Sequence, residues 1–258
     1  MILIIIGGLG FTVWNDIIEN IKSKKKIKNL TVHTKLVLVI TAVLLLLGGV
    51  LTFIFEKDNI QTIGKNTLET KILKSAFQST TLRTAGFHTM PQNELTSVSK
   101  FMAICYMFVG GSPASTAGGI KTVTLGVIIL LIINYIQGRQ ETNIFNTRIS
   151  QGAINRAVIV FAISIFIIII ATSLLLISED ISELTFIDIE FEVISAFATV
   201  GLTLGITQKL TIIGRIIIIA LMIIGRLGPI TMSIALFQKH KEVKKSKVHY
   251  PYGNILIG

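Results

Sequence analysis

The sequence predicts an all-α membrane protein assembled from parallel repeats of a helix, a short re-entrant helix and a second helix, and three observations lead there. Of its 258 residues, 51% are hydrophobic and only 15% charged, with a mean hydropathy of +0.74, whereas a soluble domain carries about 25% charged residues. Residues 36–55 and 157–177 each stay apolar and uncharged for longer than the roughly 18 residues that mark a transmembrane helix. The net charge of +10 gathers beside such spans: Lys22, Lys24, Lys25, Lys26, Lys28 and Lys35 precede the first, and Lys239, Lys241, Lys244, Lys245 and Lys247 follow the last. That placement is the excess expected of cytoplasmic loops. No aromatics that would stack on bases are interleaved with the lysines, so nucleic acid is not an expected partner. The single cysteine, Cys105, excludes an internal disulfide framework; it sits in an apolar run, facing lipid or packed in the core.

Residues 1–13 are too short for a span of about 20 helical residues and read as the tail of a helix begun earlier. They lack the basic region and cleavage site of a signal peptide. Trp14 stands where an interfacial aromatic would, and the lysine-rich stretch 15–35 reads as a polar cytoplasmic connection. Thus 1–35 forms the end of a preceding unit plus its link. Residues 36–55 cross outward, 56–70 lie outside, and 71–83 are too short to cross and fit a re-entrant half-helix. Such backbone is tolerated at membrane depth only where protein or water surrounds it.

As one helix, residues 94–137 would extend about 66 Å, roughly twice the hydrocarbon thickness, so they must break. The break falls at Gly110, Gly111, Ser112, Pro113, Ala114, Ser115, Thr116, Ala117, Gly118 and Gly119, where four glycines and a proline stop the helix. The first unit, 36–137, leads into a cytoplasmic connection, 138–156, which carries Arg139, Arg148 and Arg156. The second unit, 157–237, crosses outward over 157–177 and passes an acidic outer stretch, 178–192, expected to concentrate cations. It then dips at 192–198 and returns inward over 210–237. Arg215 near the outer end can snorkel to the interface. A basic tail, 238–258, ends the sequence, either packed at a dimer interface or disordered.

The two units share spacing as well as plan. Gly86 lies 24 residues before Gly110, and Gly201 lies the same 24 before Gly225, which sets Arg226 opposite Gly111. A third copy opens the sequence, since Ile5-Ile6-Gly7-Gly8-Leu9-Gly10 matches Ile223-Ile224-Gly225-Arg226-Leu227-Gly228. The Ser-Ala-Phe tripeptides at Ser75 and Ser195 do not align. Each unit crosses twice and dips once, so successive units are parallel and suit a central path, unlike the inverted repeats of many carriers.

Two segments, Thr84-Ala85-Gly86-Phe87 and Thr199-Val200-Gly201-Leu202, are candidate filters. A dehydrated cation needs ligands matching its lost water, and backbone carbonyls supply them where a glycine lets the chain present them. A pair of outer turns would also collect Thr and Gly. Arg226 is the second candidate site, since a charge deep in a membrane helix is costly unless paired. Its expected partners are the freed carbonyls and the Ser112, Ser115 and Thr116 hydroxyls of the broken loop, with snorkelling to the cytoplasmic face as the other reading. Lys121 closes the loop toward cytoplasmic water. Arg83 either braces the half-helix or caps its C-terminus. His88 reads as a mouth residue without companions at metal-ligand spacing, and His33, His240 and His249 as solvent-exposed. A protease using Ser112 and His88 needs them within about 3 Å, whereas the sequence maps them to the membrane middle and the outer mouth.

With these motifs in place, the sequence resembles the Trk/Ktr/HKT superfamily of potassium transporters, most closely its bacterial KtrB branch. The resemblance rests on Arg83-Thr84-Ala85-Gly86-Phe87, on the run from Gly110 to Lys121, on Thr199-Val200-Gly201-Leu202-Thr203 and on Gly225-Arg226-Leu227-Gly228-Pro229. It implies parallel helix–pore loop–helix repeats around a central ion path, four to a pore, in a bacterial multi-pass plasma-membrane protein. The implied filter is Thr84, Ala85, Gly86 and Phe87 with Thr199, Val200, Gly201 and Leu202. The implied gate is the intramembrane loop at 110–119 with Lys121, and with Arg226 below the filter. Potassium is then the substrate, with sodium the usual coupling ion of Ktr systems. A homodimer of such pores and a cytoplasmic nucleotide-binding regulatory ring are the implied partners, alongside membrane lipid. No enzymatic activity is expected. An alternating-access carrier is the rival reading of the broken helix. Two complete units amount to roughly half of a family member, so the sequence reads either as a fragment or as a half-length protein that pairs to complete the pore.

Overall fold

The computed structural model describes residues 1–23, 29–139, 141–145, 147–179 and 184–228. Its elements are α1 (Ile2–Leu9), α2 (Phe11–Lys22), α3 (Val32–Glu56), α4 (Leu68–Thr81), α5 (Ser97–Phe108), α6 (Thr122–Ile136), β1 (Asn143–Ile144), β2 (Thr147–Arg148), α7 (Gln151–Ser178), α8 (Phe186–Phe197) and α9 (Ile212–Leu227). Among the described residues the fold is all-α apart from an antiparallel hairpin of two two-residue strands, β1 and β2. At 25 and 28 residues, α3 and α7 are long and apolar enough to cross a bilayer.

Each unit follows one order: a long outer helix, a short helix, a T-x-G segment and an inner helix. In the first, α3 and α4 meet where Gly48 leaves room for Ser79, whose hydroxyl donates to Leu45 O at 2.8 Å. In the second, α8 is enclosed by α5, α7 and α9. Its Phe191, Val193 and Phe197 share one core with Met102 and Met107 of α5, Leu175 of α7 and Leu221 of α9. α1 touches α4, and α5 packs against α8.

Carboxylates join the elements end to end. Glu56, closing α3, accepts the N–H and hydroxyl of Thr96, the N-cap of α5, both at 2.9 Å. Glu179, just past α7, accepts the N–H of Thr211 at 3.0 Å and its hydroxyl at 2.7 Å, and Thr211 is the N-cap of α9. On the opposite side Asp16 does the same for Thr31, the N-cap of α3, at 3.0 and 2.7 Å. Each pair places a negative charge at a positive helix end while satisfying an orphan N–H.

Several sequence expectations shift. Residues 15–35 are not simply a polar connection: the chain turns by 94° at Gly10 and forms α2. The second half-helix begins at Phe186 rather than 192, because Thr185 and Asp188 form a capping box there. The acidic stretch is therefore partly helical and largely engaged. Glu179 and Glu192 are 7% and 6% exposed, Glu190 accepts from Thr172, and Asp188 lies 3.7 Å from Lys100; these carboxylates are structural clips, not a solvated funnel. His33 is half-buried beside Thr12 rather than solvent-exposed. The inward return is described only through Gly228, so 229–237, the tail, His240 and His249, like Asp180 and Glu183, lie outside the described residues.

Candidate functional site

The two T-x-G segments carry the same unusual backbone. Thr84 and Thr199 have φ of 65° and 53°, and Gly86 and Gly201 have φ of 77° and 90°. Left-handed φ is strained for a β-branched threonine, at about 1–3 kcal/mol, and persists only where the surroundings impose it. Left-handed residues on either side of an ordinary one alternate the hand of the chain. Alternation turns successive N–H groups to one side and the carbonyls to the other.

The surroundings that impose this come from the short helices. Ala85 N–H donates to Thr81 O at 3.1 Å, and Val200 N–H to Ser195 O at 2.9 Å. The Thr81 hydroxyl donates to Phe87 O and the Ser195 hydroxyl to Leu202 O, each at 2.5 Å. Phe87 and Leu202 thus have their carbonyls tied back to the helix. Among the described residues, the carbonyls of Thr84, Ala85, Gly86, Thr199, Val200 and Gly201 accept no hydrogen bond. The segments lie side by side: a Cβ on Gly86 would strike Val200 O, and one on Gly201 would come within 3.7 Å of Gly86 Cα.

The glycine-rich loop lies against both segments. A Cβ on Gly118 would meet the Thr199 side chain, and one on Gly110 would lie 3.5 Å from Thr84 Cγ2. Its ends are pinched together by a parallel bridge between Val109 and Ile120, with Gly110 N–H to Ile120 O at 2.9 Å and Thr122 N–H to Gly111 O at 3.0 Å. The interrupted helix therefore leaves α5 at Phe108, four residues before the position where α1 and α9 end.

Three cations hold loop carbonyls that the break set free. Arg226 donates to Thr116 O and Lys121 to Ala117 O, each at 2.5 Å, and Arg83 reaches Gly110 O at 3.5 Å. The Arg226 partner is thus a carbonyl of the loop, not its hydroxyls. Arg83 neither caps α4 nor faces water; it is buried and spans from the first T-x-G segment to the loop. Ser112 is fully buried, with its N–H on Gly8 O at 2.9 Å and its hydroxyl on Leu9 O, while Phe11 N–H donates to Ala114 O at 3.1 Å. With that proton committed and His88 exposed, the two do not form a nucleophile and base.

Sequence reasoning missed Glu192. Its carboxylate accepts the hydroxyls of Thr203, at 2.8 Å, and Thr207, fixing the turn after the second T-x-G segment. A cavity of about 470 Å³ runs past Glu192, Thr203, Ser195, Thr199, Gly201 and Arg226. The signal available in sequence is a carboxylate on a half-helix followed by threonines, which charge alone does not separate from the outer acidic stretch. Among the described residues no group of His, Cys, Asp and Glu is arranged to hold a metal ion.

Comparison with known proteins identifies the family. The family described as TrkH, a cation transport protein, matches residues 1–247. The potassium/sodium uptake protein NtpJ of Enterococcus hirae is 37% identical over 99% of this chain and 56% of its own length. The Ktr system potassium uptake protein B of Bacillus subtilis is 38% identical over 99% of this chain and 55% of its own length. The solved potassium transporter TrkH from Vibrio parahaemolyticus superposes with a TM-score of 0.72 over 91% of this chain and 50% of its own, at 15% identity, a likeness of fold. The chain spans about half the length of the curated relatives it matches. With two matched T-x-G backbones, an interrupted helix between them and a family match across nearly every residue, the chain belongs to the TrkH family of cation transport proteins.

Proposed function

We propose that this chain forms two of the four units of a pore that takes up potassium across the bacterial plasma membrane, and that the loop at 110–119 gates it. The observation that carries the reading is the duplicated backbone at 84–86 and 199–201, where left-handed Thr and Gly leave six carbonyls without hydrogen bonds beside one another. A dehydrated monovalent cation exchanges its water for such oxygens. Phe87 and Leu202 shape the segments' outer ends, with their carbonyls held by Thr81 and Ser195. Directly against the filter, the loop is held in place by Arg226, Lys121 and Arg83. Their charges oppose a cation leaving the filter, so opening requires the loop and Arg226 to separate. The names of the relatives support potassium, and sodium beside it, as the transported or coupling ions. Further units, a second copy of the pore and a cytoplasmic nucleotide-binding subunit complete the proposed assembly.

The test is flux selectivity in the full-length assembly. Gly86→Ser and Gly201→Ser are each expected to weaken discrimination of potassium from sodium, since a side chain at left-handed φ distorts the segment and Gly86 has no room for one. Unchanged selectivity in both variants removes the filter assignment. Arg226→Gln is expected to raise basal flux at unchanged selectivity, and unaltered flux removes Arg226 from the gate.

A further inference from the structure

The 94° turn at Gly10 sets α2 across the direction of α1, and the helix shows three distinct sides. Val13, fully buried, and Ile17 pack against α3 through Val37 and Leu38, and Asp16 is clipped to the start of α3. A second side carries Thr12, Asn15, Glu19 and Lys22. The third carries Phe11, Ile18 and Ile21 on one face, with half-buried Trp14 at its edge packed against the Leu9, Val13 and Val37 core. Phe11, Ile18 and Ile21 are 73%, 45% and 70% exposed. The Trp14 indole donates to Ile6 O at 3.0 Å, tying this face to α1.

An apolar face between protein and a polar face is the signature of a helix lying in a bilayer surface, and a half-buried tryptophan at its edge suits the headgroup level. The sequence that follows adds Lys24, Lys25, Lys26 and Lys28 to Lys22, an excess that favours an anionic leaflet at about 1 kcal/mol per lysine near the surface. At its other end α2 joins the glycine-rich loop directly: Phe11 N–H donates to Ala114 O, and Ser112 bonds Gly8 O and Leu9 O. A Cβ on Gly10 would lie 2.5 Å from Pro113 O, so the corner and the loop are in backbone contact.

We propose that α2 is a surface anchor, with Phe11, Ile18 and Ile21 seated in the acyl boundary of the anionic cytoplasmic leaflet and Trp14 at the edge of the seat, and that this seat holds the glycine-rich loop through the Gly10 corner. The seat rests on the membrane reading and the coupling on the gating reading; the two are measured separately. For the seat, the full-length assembly, freed of other reactive cysteines, is labelled with an environment-sensitive fluorophore at Ile18→Cys or Asn15→Cys. It is reconstituted in phosphatidylcholine vesicles containing phosphatidylglycerol. Doxyl-labelled lipid is expected to abolish most of the signal at position 18 and little at position 15, with aqueous iodide giving the reverse. Iodide quenching at position 18, or access by neither quencher because another protein covers the face, overturns the seat.

For the coupling, Ile18→Asn combined with Ile21→Asn is expected to change basal flux without altering potassium over sodium selectivity. The wild-type flux is expected to depend on the phosphatidylglycerol content, and the double variant to lose that dependence. Equal flux and equal lipid dependence in the two proteins overturn the coupling. Altered selectivity overturns it too, because the change would then reach the filter itself.

Discussion

The first and second units carry one T-x-G backbone on two different scaffolds. Behind 84–86 the short helix α4 buries Ser75, Gln78, Ser79, Thr80 and Thr81, and the turn after the segment is held by a neutral amide pair, Gln78 with Gln92, at 2.7 and 3.2 Å. Behind 199–201 the short helix α8 buries Ile189, Phe191, Val193, Ile194 and Phe197, and the turn is held by the Glu192 carboxylate on two threonine hydroxyls. The backbone pattern is common, while packing and charge differ. What both scaffolds supply is a hydroxyl on the last turn of the short helix, Thr81 or Ser195, and a carboxylate on the inner-helix N-cap. The geometry of the segment is thus set by a few local bonds and is indifferent to the polarity of the helix behind it.

The largest expected effect lies at a glycine shared by α1 and α9, whose sequences match but whose surroundings differ. Gly7 and Gly225 occupy matching places, yet a Cβ on Gly7 would meet only Thr116 Oγ1 at 3.7 Å, whereas one on Gly225 would run into the Phe197 carbonyl. Backbone cannot yield as a side chain can, so Gly225→Ala is expected to destabilise by about 1–3 kcal/mol or more. Gly7→Ala is expected to be close to neutral. Thermal unfolding of the detergent-solubilised assembly separates the two, and equal melting temperatures would dissolve the distinction.

Next comes the clamp. Glu192→Ala removes hydrogen bonds to a charged acceptor, expected to cost about 2–3 kcal/mol, against about 1 kcal/mol for Gln78→Ala, which removes a neutral pair. Selectivity should fall more in the Glu192 variant, because the turn it frees continues directly from Leu202. The reverse ranking in a paired flux and stability series would show that the amide pair governs selectivity more than the carboxylate clamp does.

The N-cap clips are where the units should agree. Thr96→Val and Thr211→Val each remove a capping hydroxyl and one donor to a buried carboxylate, with an expected cost of about 1–2 kcal/mol apiece. Melting curves should place the two within about 0.5 kcal/mol of each other, within the range over which independent sites behave additively. A wide gap would mean that Ser99 beside Glu56 or Gly214 beside Glu179, which stand at matching positions, alters the clip.

Much of this is legible in the sequence. Long apolar runs located α3 and α7, the constant spacing from Gly86 to Gly110 and from Gly201 to Gly225 exposed the repeat, and four glycines with Pro113 located the interruption. These signals survive because membrane depth punishes unpaired backbone, so spans and breaks leave composition behind. The start of α8 was illegible because a capping box turns an acidic stretch into helix by local bonding, which charge counting cannot distinguish from a loop. α2 was hidden by the lysines that follow it, and its apolar face emerges only once Phe11, Ile18 and Ile21 are placed on a helix. The clips of Glu56, Glu179 and Glu192 join residues up to 40 positions apart, and no local pattern encodes such a pairing.

The smallest expected effect concerns the exposed member of the clip series. Asp16 holds the N-cap of α3 as Glu56 and Glu179 hold those of α5 and α9, but it lies on the lysine-rich side, near water. Hydrogen bonds from Thr34 and Thr31 hold its carboxyl below the ordinary range, against a weaker opposing push from burial. A carboxyl whose pKa is lowered by folding stabilises the fold above its unfolded value, about 3.9, and that contribution fades as pH falls through the lower folded value. The α2–α3 clip should therefore be fully present at neutral pH and even at pH 5, and weaken only in strong acid. Asp16→Asn should remove that acid-dependent part while shifting the neutral melting temperature slightly. A steep change between pH 5 and 7 that persists in Asp16→Asn would assign the titration to His33 instead, which packs beside it and hydrogen-bonds Thr12.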